Sequence, residues 1–147
     1  AVTEHVEDNA QDEWQATLPK GSETILIVDD EQDLRDILQQ MLSSLGYRVI
    51  ATSDAQEALE ALEQHRDIDL LFTDIIMPGT LNGFELAQIA AERHPSVAIL
   101  LASGFTGGIL SEDQQERWRD ALLSKPYRDV EVAHKVRAAL SQGPSKL

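Results

Sequence analysis

The chain of 147 residues contains no cysteine. That excludes a disulfide framework and a thiolate metal centre, and it is compatible with a reducing compartment. Aromatic residues are few, at 5%, and bases are scarce: 12 Lys and Arg face 26 Asp and Glu, a formal net charge of −14. A surface of that sign repels phosphate backbones, so direct binding of nucleic acid is not expected, whereas proteins and cations are natural partners. No apolar run approaches the roughly 18 residues of a membrane span, and no basic-then-apolar start marks a secretion signal. The expectation is a cytoplasmic protein without direct membrane contact. What is present is an ordinary globular composition, 42% hydrophobic, in a length that supports one domain with a real core.

Residues 1–22 carry Glu4, Glu7, Asp8, Asp12 and Glu13 without apolar periodicity, and read as an acidic tail or linker. Ile25-Leu26-Ile27-Val28 is apolar on both faces, as a central parallel strand requires, and ends on Asp29-Asp30. Leu34, Ile37, Leu38, Met41, Leu42 and Leu45 then recur at helical spacing, and Gly46 stops that helix. Tyr47 to Ala51 predicts a second strand. Asp54 with Glu57 predicts a capping box for a helix that turns Ala58, Leu59 and Leu62 inward. The run Ile68 to Phe72 predicts a buried strand that delivers Asp74 to a turn at Pro78-Gly79. A helix over Phe84 to Arg93 stops before Pro95. Val97 to Leu101 predicts a strand running into Ala102-Ser103-Gly104, and Ser111 with Gln114 predicts a capped short helix through about Arg119. Ala121 to Ser124 predicts a brief strand before Lys125-Pro126. Asp129 is expected to cap a last helix with Val132, Ala133, Val136, Ala139 and Leu140 on one stripe. Residues 142–147 read as a C-terminal tail.

Strands alternating with helices specify right-handed βαβ units and a sheet covered on both faces. The expected fold class is α/β: a three-layer (αβα) sandwich, flavodoxin-like, with a five-stranded parallel sheet of order 2-1-3-4-5.

In such a sheet Asp29, Asp30, Asp74, Ser103 and Lys125 all reach the carboxyl edge, where open α/β sheets bind ligands. Each group suits phosphoryl transfer. Clustered carboxylates call for a hard cation, and Mg²⁺ takes oxygen ligands and phosphate oxygens. A carboxylate in line with phosphorus can act as nucleophile and form an aspartyl phosphate. Lys offers a compact positive charge to the phosphoryl oxygens, and a small hydroxyl can donate to another. Taken singly, a strand-end Asp, a buried Asp pair or a Lys-Pro turn is more often structural. Jointly, each at the end of its own strand, they define a site. His5, in the acidic tail, is not read as a phosphate carrier.

The segments Ile27-Val28-Asp29-Asp30-Glu31, Asp74-Ile75-Ile76-Met77-Pro78-Gly79, Ser103-Gly104 and Lys125-Pro126-Tyr127 resemble the receiver domain of two-component response regulators over about residues 23–141. The resemblance implies that Asp74 is the phosphoacceptor, charged by a histidine kinase or a histidine phosphotransfer domain. It implies Mg²⁺ bound by Asp30, Asp74 and the backbone carbonyl of Ile76, with Asp29 acting through a metal-bound water. Ser103 matches the switch hydroxyl and Lys125 the phosphate-pairing lysine. Such a domain catalyses only its own phosphorylation and dephosphorylation, and is expected as a monomer or weak dimer.

The chain departs from the family pattern in two places. Leu122 stands where an aromatic often precedes the lysine by three residues, and the loop Gly79-Thr80-Leu81-Asn82-Gly83 is one residue longer than the commonest version. That loop, the Ser103-Gly104-Phe105 strand end and the run Leu18 to Glu23 resemble C-terminal receivers of hybrid sensor histidine kinases. A transcription factor would require a DNA-binding module beyond residue 141. Ile76 and Phe105 match the positions that flank the approach of a hydrolytic water, which implies a long-lived phosphate. The alternatives are a stand-alone regulator acting by protein contact and an unphosphorylated pseudo-receiver; the full set of site residues argues against the latter. A haloacid-dehalogenase-type phosphatase needs a second Asp two residues after the nucleophile, where Ile76 stands.

Overall fold

The computed structural model describes residues 18–77, 79, 81–104, 111–125 and 127–142. The acidic stretch before Leu18, Pro78, Phe105, Gly107, Gly108, Pro126 and residues 143–147 lie outside them. The element order is β1 (Thr24–Val28), α1 (Gln32–Ser44), β2 (Arg48–Thr52), α2 (Ala55–Gln64), β3 (Leu70–Asp74), α3 (Gly83–Arg93), β4 (Ala98–Ser103), α4 (Glu112–Arg117), a 3₁₀ turn (Arg119–Ala121), β5 (Leu122–Ser124) and α5 (Asp129–Gln142). All strand pairs are parallel and the order is β2-β1-β3-β4-β5, as expected. β1 is buried along its whole length, because helices cover both faces of a central strand.

Two apolar layers result. One face of the sheet packs Leu26, Leu71, Ile99 and Leu101 against α2 and α3. The other packs Ile25, Phe72 and Leu100 against α1 and α5. Trp118 closes the edge of the first layer, edge-on to Phe84 at 5.6 Å between ring centres.

The helices follow their sequence signals with three corrections. Ile37 lies on the rim of the α1 stripe and is 56% exposed, not inward as its spacing suggested. The α2 cap is half a capping box: Asp54 accepts from the Glu57 backbone N–H at 2.8 Å, but the Glu57 carboxylate is taken by the Ser53 hydroxyl at 2.6 Å. Asp129 is the first residue of α5 and not its cap; the helix entrance is held by the Arg128 N–H donating to Glu131. The expected box at Ser111 and Gln114 is complete, and a second one, Asn82 with Glu85, opens α3.

Residues just before β1 belong to the packed body. Leu18 sits against the α1–α5 layer, Gly21 donates its N–H to the Leu45 carbonyl at 3.1 Å, and Arg137 on α5 reaches the Lys20 carbonyl and the Glu23 carboxylate. Gly46 has φ of +102° and its missing Cβ would lie 2.4 Å from the Gly21 carbonyl oxygen. Only glycine both turns the chain there and leaves room for that strand entrance.

Candidate functional site

β1 and β3 pair with Val28 opposite Thr73, so Asp29 and Asp74 leave the sheet side by side. On the other flank Asp74 lies opposite Ala102, and Ser103 opposite Ser124, which brings Lys125 to the same edge. Carboxylate oxygens of Asp29, Asp30 and Asp74 all lie within 4.8 Å of one another. Lys125 Nζ is 2.9 Å from Asp74 Oδ2 and 3.6 Å from Asp29 Oδ2. Four of the five side chains singled out from the sequence therefore meet. Ser103 stands beside them: its carbonyl accepts from the Lys125 N–H at 2.9 Å, while its hydroxyl forms no hydrogen bond among the described residues.

Burial sets the electrostatics. Asp29 is 3% exposed, Asp74 is half-buried and Asp30 faces solvent. Desolvation raises the Asp74 pKa above the ordinary carboxylate value, with the Asp29 charge adding to it, although Lys125 and the Ile76 backbone N–H pull the other way. Burial works against the Lys125 ammonium too, yet the neighbouring carboxylates of Asp74 and Asp29 hold its pKa above that of a free lysine. Three carboxylates face one ammonium, so the pocket keeps a surplus of negative charge that a divalent cation would offset.

Several supporting groups escaped the sequence reading. The Glu31 N–H donates to Asp29 Oδ1 at 2.9 Å, and Arg35 donates to the Asp29 carbonyl at 2.7 Å, together fixing the turn after β1. Gly83 donates its N–H to the Ile75 carbonyl at 2.7 Å and lies so close to β3 that a Cβ there would sit 1.7 Å from the Asp74 carbonyl oxygen. The Asn82-Gly83 dipeptide was its only signal. Tyr127 packs its ring 6.1 Å from Phe72, and burial pushes its phenol up to about 12. Leu122, in the place of the aromatic, packs half-buried against the α2–α3 layer. Ile76 is 47% exposed at the site's edge.

The family model that describes the response regulator receiver domain matches residues 25–137. The chain belongs to this receiver family. The receiver is 33% identical over 116 residues to the response regulator receiver protein CpdR of Brucella abortus, covering 79% of this chain and 95% of that protein. It is 33% identical over 117 residues to the transcriptional regulatory protein CpxR of Escherichia coli, covering 79% of this chain but only 48% of CpxR. Among solved structures, it matches the signal receiver domain of an HD domain-containing protein from Pseudomonas fluorescens with a TM-score of 0.71 and 27% identity, covering 83% of this chain and 97% of the other. No helix of the described residues is long and apolar enough to cross a membrane.

Proposed function

We propose that this receiver accepts a phosphoryl group on Asp74 from a phosphohistidine of a kinase or phosphotransfer domain, and that the modified carboxylate shifts a conformational equilibrium. The observation that carries this reading is the Lys125 ammonium 2.9 Å from the Asp74 carboxylate, inside a cluster of three carboxylates. An Asp74 oxygen attacks phosphorus, the donor P–N bond breaks, and its electron pair leaves on the imidazole nitrogen. Lys125 then loses a carboxylate partner and gains phosphoryl oxygens, so it can follow the charge without leaving the pocket.

The surplus negative charge and the oxygen-only donor set fit Mg²⁺. Asp30, Asp74 and the Ile76 carbonyl would hold it. Asp29, whose Oδ1 already accepts a backbone N–H, would act through a water. Bound there, the ion supplies charge neutralisation for the transferring phosphoryl group. Ser103, one residue past Asp74 on the neighbouring strand, is the hydroxyl placed to follow the phosphoryl group, with a switch of existing states as the output.

The test is intact mass after incubation with acetyl phosphate and Mg²⁺: one added phosphoryl group, lost in Asp74→Asn. Labelling that persists in Asp74→Asn sinks the assignment. As for context, the loop length and the Ser103-Gly104-Phe105 strand end favour a C-terminal receiver of a hybrid histidine kinase. A stand-alone regulator acting by protein contact is the alternative. The length of the natural gene separates the two.

A further inference from the structure

We propose that the cavity between the C-terminal ends of α2 and α3, at the pole opposite Asp74, binds a small oxyanion of the phosphate class. It is lined by His65 and Arg66 beyond α2, by Arg93 and His94 at the end of α3, and by Ser96. No carboxylate lines it, in a chain that carries 26 acidic residues against 12 Lys and Arg. Two guanidiniums around one hollow, against the single Glu63 carboxylate beside Arg66 and His94, run counter to the protein's net charge.

Three observations point to a ligand. Arg93 has no hydrogen-bond or ion-pair partner among the described residues, and Arg66 has only a stretched, exposed contact with Glu63 at 3.5 Å. His94 is 8% exposed, and its Nε2 is buried without a hydrogen bond, with Glu63 Oε1 at 3.5 Å as its ionic neighbour. A buried polar nitrogen left unbonded is costly, and a bound acceptor oxygen within reach of the ring would relieve it. Third, the volume is about 210 Å³, below the range of drug-sized sites, and polar atoms dominate the lining. That suits a hydrated tetrahedral ion better than an apolar or nucleotide-sized molecule. A dianion balances two guanidiniums, whose forked donors match phosphate oxygens.

The competing explanation is that bases at helix ends merely complement the helix dipole. Yet the last turns of α1, α2 and α5 hold no base, and only α3 with Arg93 and α4 with Arg117 carry one, so this is not a general habit of the chain. The cavity lies at the amino ends of β3 and β4, so the proposal stands whether or not Asp74 is phosphorylated.

The experiment is a titration of the isotopically labelled protein with inorganic phosphate at constant ionic strength, followed by amide and histidine-ring NMR. Saturable shifts at His65, His94 and Ser96 are expected, reproduced by sulfate and absent with chloride. Arg93→Ala and Arg66→Ala should each weaken binding roughly fivefold, the scale of one exposed charge-assisted contact. Both side chains are exposed, so folding is not at stake. Shifts that chloride reproduces, that stay confined to the Lys125 end, or that survive the double substitution unchanged overturn the proposal. So does a thermal midpoint that phosphate leaves where chloride does, because a ligand that binds only the folded state must raise it.

Discussion

Gly83→Ala tests whether the site depends on the close approach of α3 to β3. A Cβ at this position would lie 1.7 Å from the Asp74 carbonyl oxygen and 2.6 Å from its carbon, where real Cβ contacts below 3.0 Å are essentially never seen. The helix must therefore back away by more than an ångström. The obstacle is backbone, so no rotamer change relieves it. Overpacking in a tight interior costs about 1–3 kcal/mol, and a clash with backbone belongs at the upper end. Alanine's better helix propensity returns at most about 1 kcal/mol, and less at a first helical position. The net loss is about 2–3 kcal/mol, or roughly 10 °C in Tm for a domain of this size.

Urea unfolding of the parent, Gly83→Ala and Gly104→Ala is the assay. Gly104 is the control, because its added Cβ would meet only the Lys125 Cβ at 3.7 Å, an ordinary contact. That variant should stay within about 0.5 kcal/mol of the parent. Gly83→Ala should also take phosphate from acetyl phosphate more slowly, since moving the Asp74 backbone disturbs the 2.9 Å Lys125 contact. A Gly83→Ala protein as stable as the parent would refute the reasoning.

Two further outcomes follow from the electrostatics and from the rim of the site. The Arg137 guanidinium, reinforced by backbone N–H groups, holds the Glu23 carboxyl below its ordinary range despite some burial. A depressed folded pKa contributes stability that is full above the unfolded value, about 4.3, and is lost as pH falls through the folded one. The Tm gap between the parent and Glu23→Gln should hold steady above about pH 5 and close below about pH 4. It should be worth about 1 kcal/mol or less, as the pair stays 28–30% exposed; a gap that persists at pH 2.5 contradicts the pairing. Ile76 is 47% exposed beside Asp74 and cannot orient a water, so Ile76→Asn should shorten the phosphate lifetime several-fold in a timed intact-mass assay. An unchanged lifetime would mean that the side chain does not screen the site.

Most of the architecture was legible because buried parallel strands are continuous apolar runs. Ile25 to Val28 and Leu70 to Phe72 carry no other plausible reading, and the residues that close each run mark the site. The pattern failed where periodicity is a blunt instrument. Along α1 and its cap, Leu38, Leu42 and Leu45 are buried and Leu34 and Met41 partly so, whereas Ile37 stands roughly 100° around the helix from Leu38 and meets water. Spacing alone counts it in; the width of the covered stripe leaves it out. The α2 cap failed differently, since Ser53 competes for the Glu57 carboxylate and no two-residue signature encodes a third party. Gly83 was illegible as a site residue because its role is an absence: the room it leaves for the Asp74 carbonyl exists only once α3 is laid on the sheet. The grouping of Arg66 with Arg93 likewise joins the turn after α2 to the end of α3, far apart in sequence and brought together by the parallel pairing of β3 with β4.

That pairing also sets how the two poles can talk to each other. β3 starts two residues after Ile68, on the wall of the cationic cavity, and ends on Asp74. Its five residues span roughly 16 Å at the usual strand rise. Leu70 to Thr73 are fully buried between two apolar layers, so the strand has no second arrangement in which to store a signal. Energetic coupling needs an element with two discrete states. The central strand is therefore a rigid spacer, and a change at Asp74 is expected to leave the site sideways, through the edge formed by Ser103 and Lys125. There Ser103 and Lys125 are partly exposed and β5 is only three residues long.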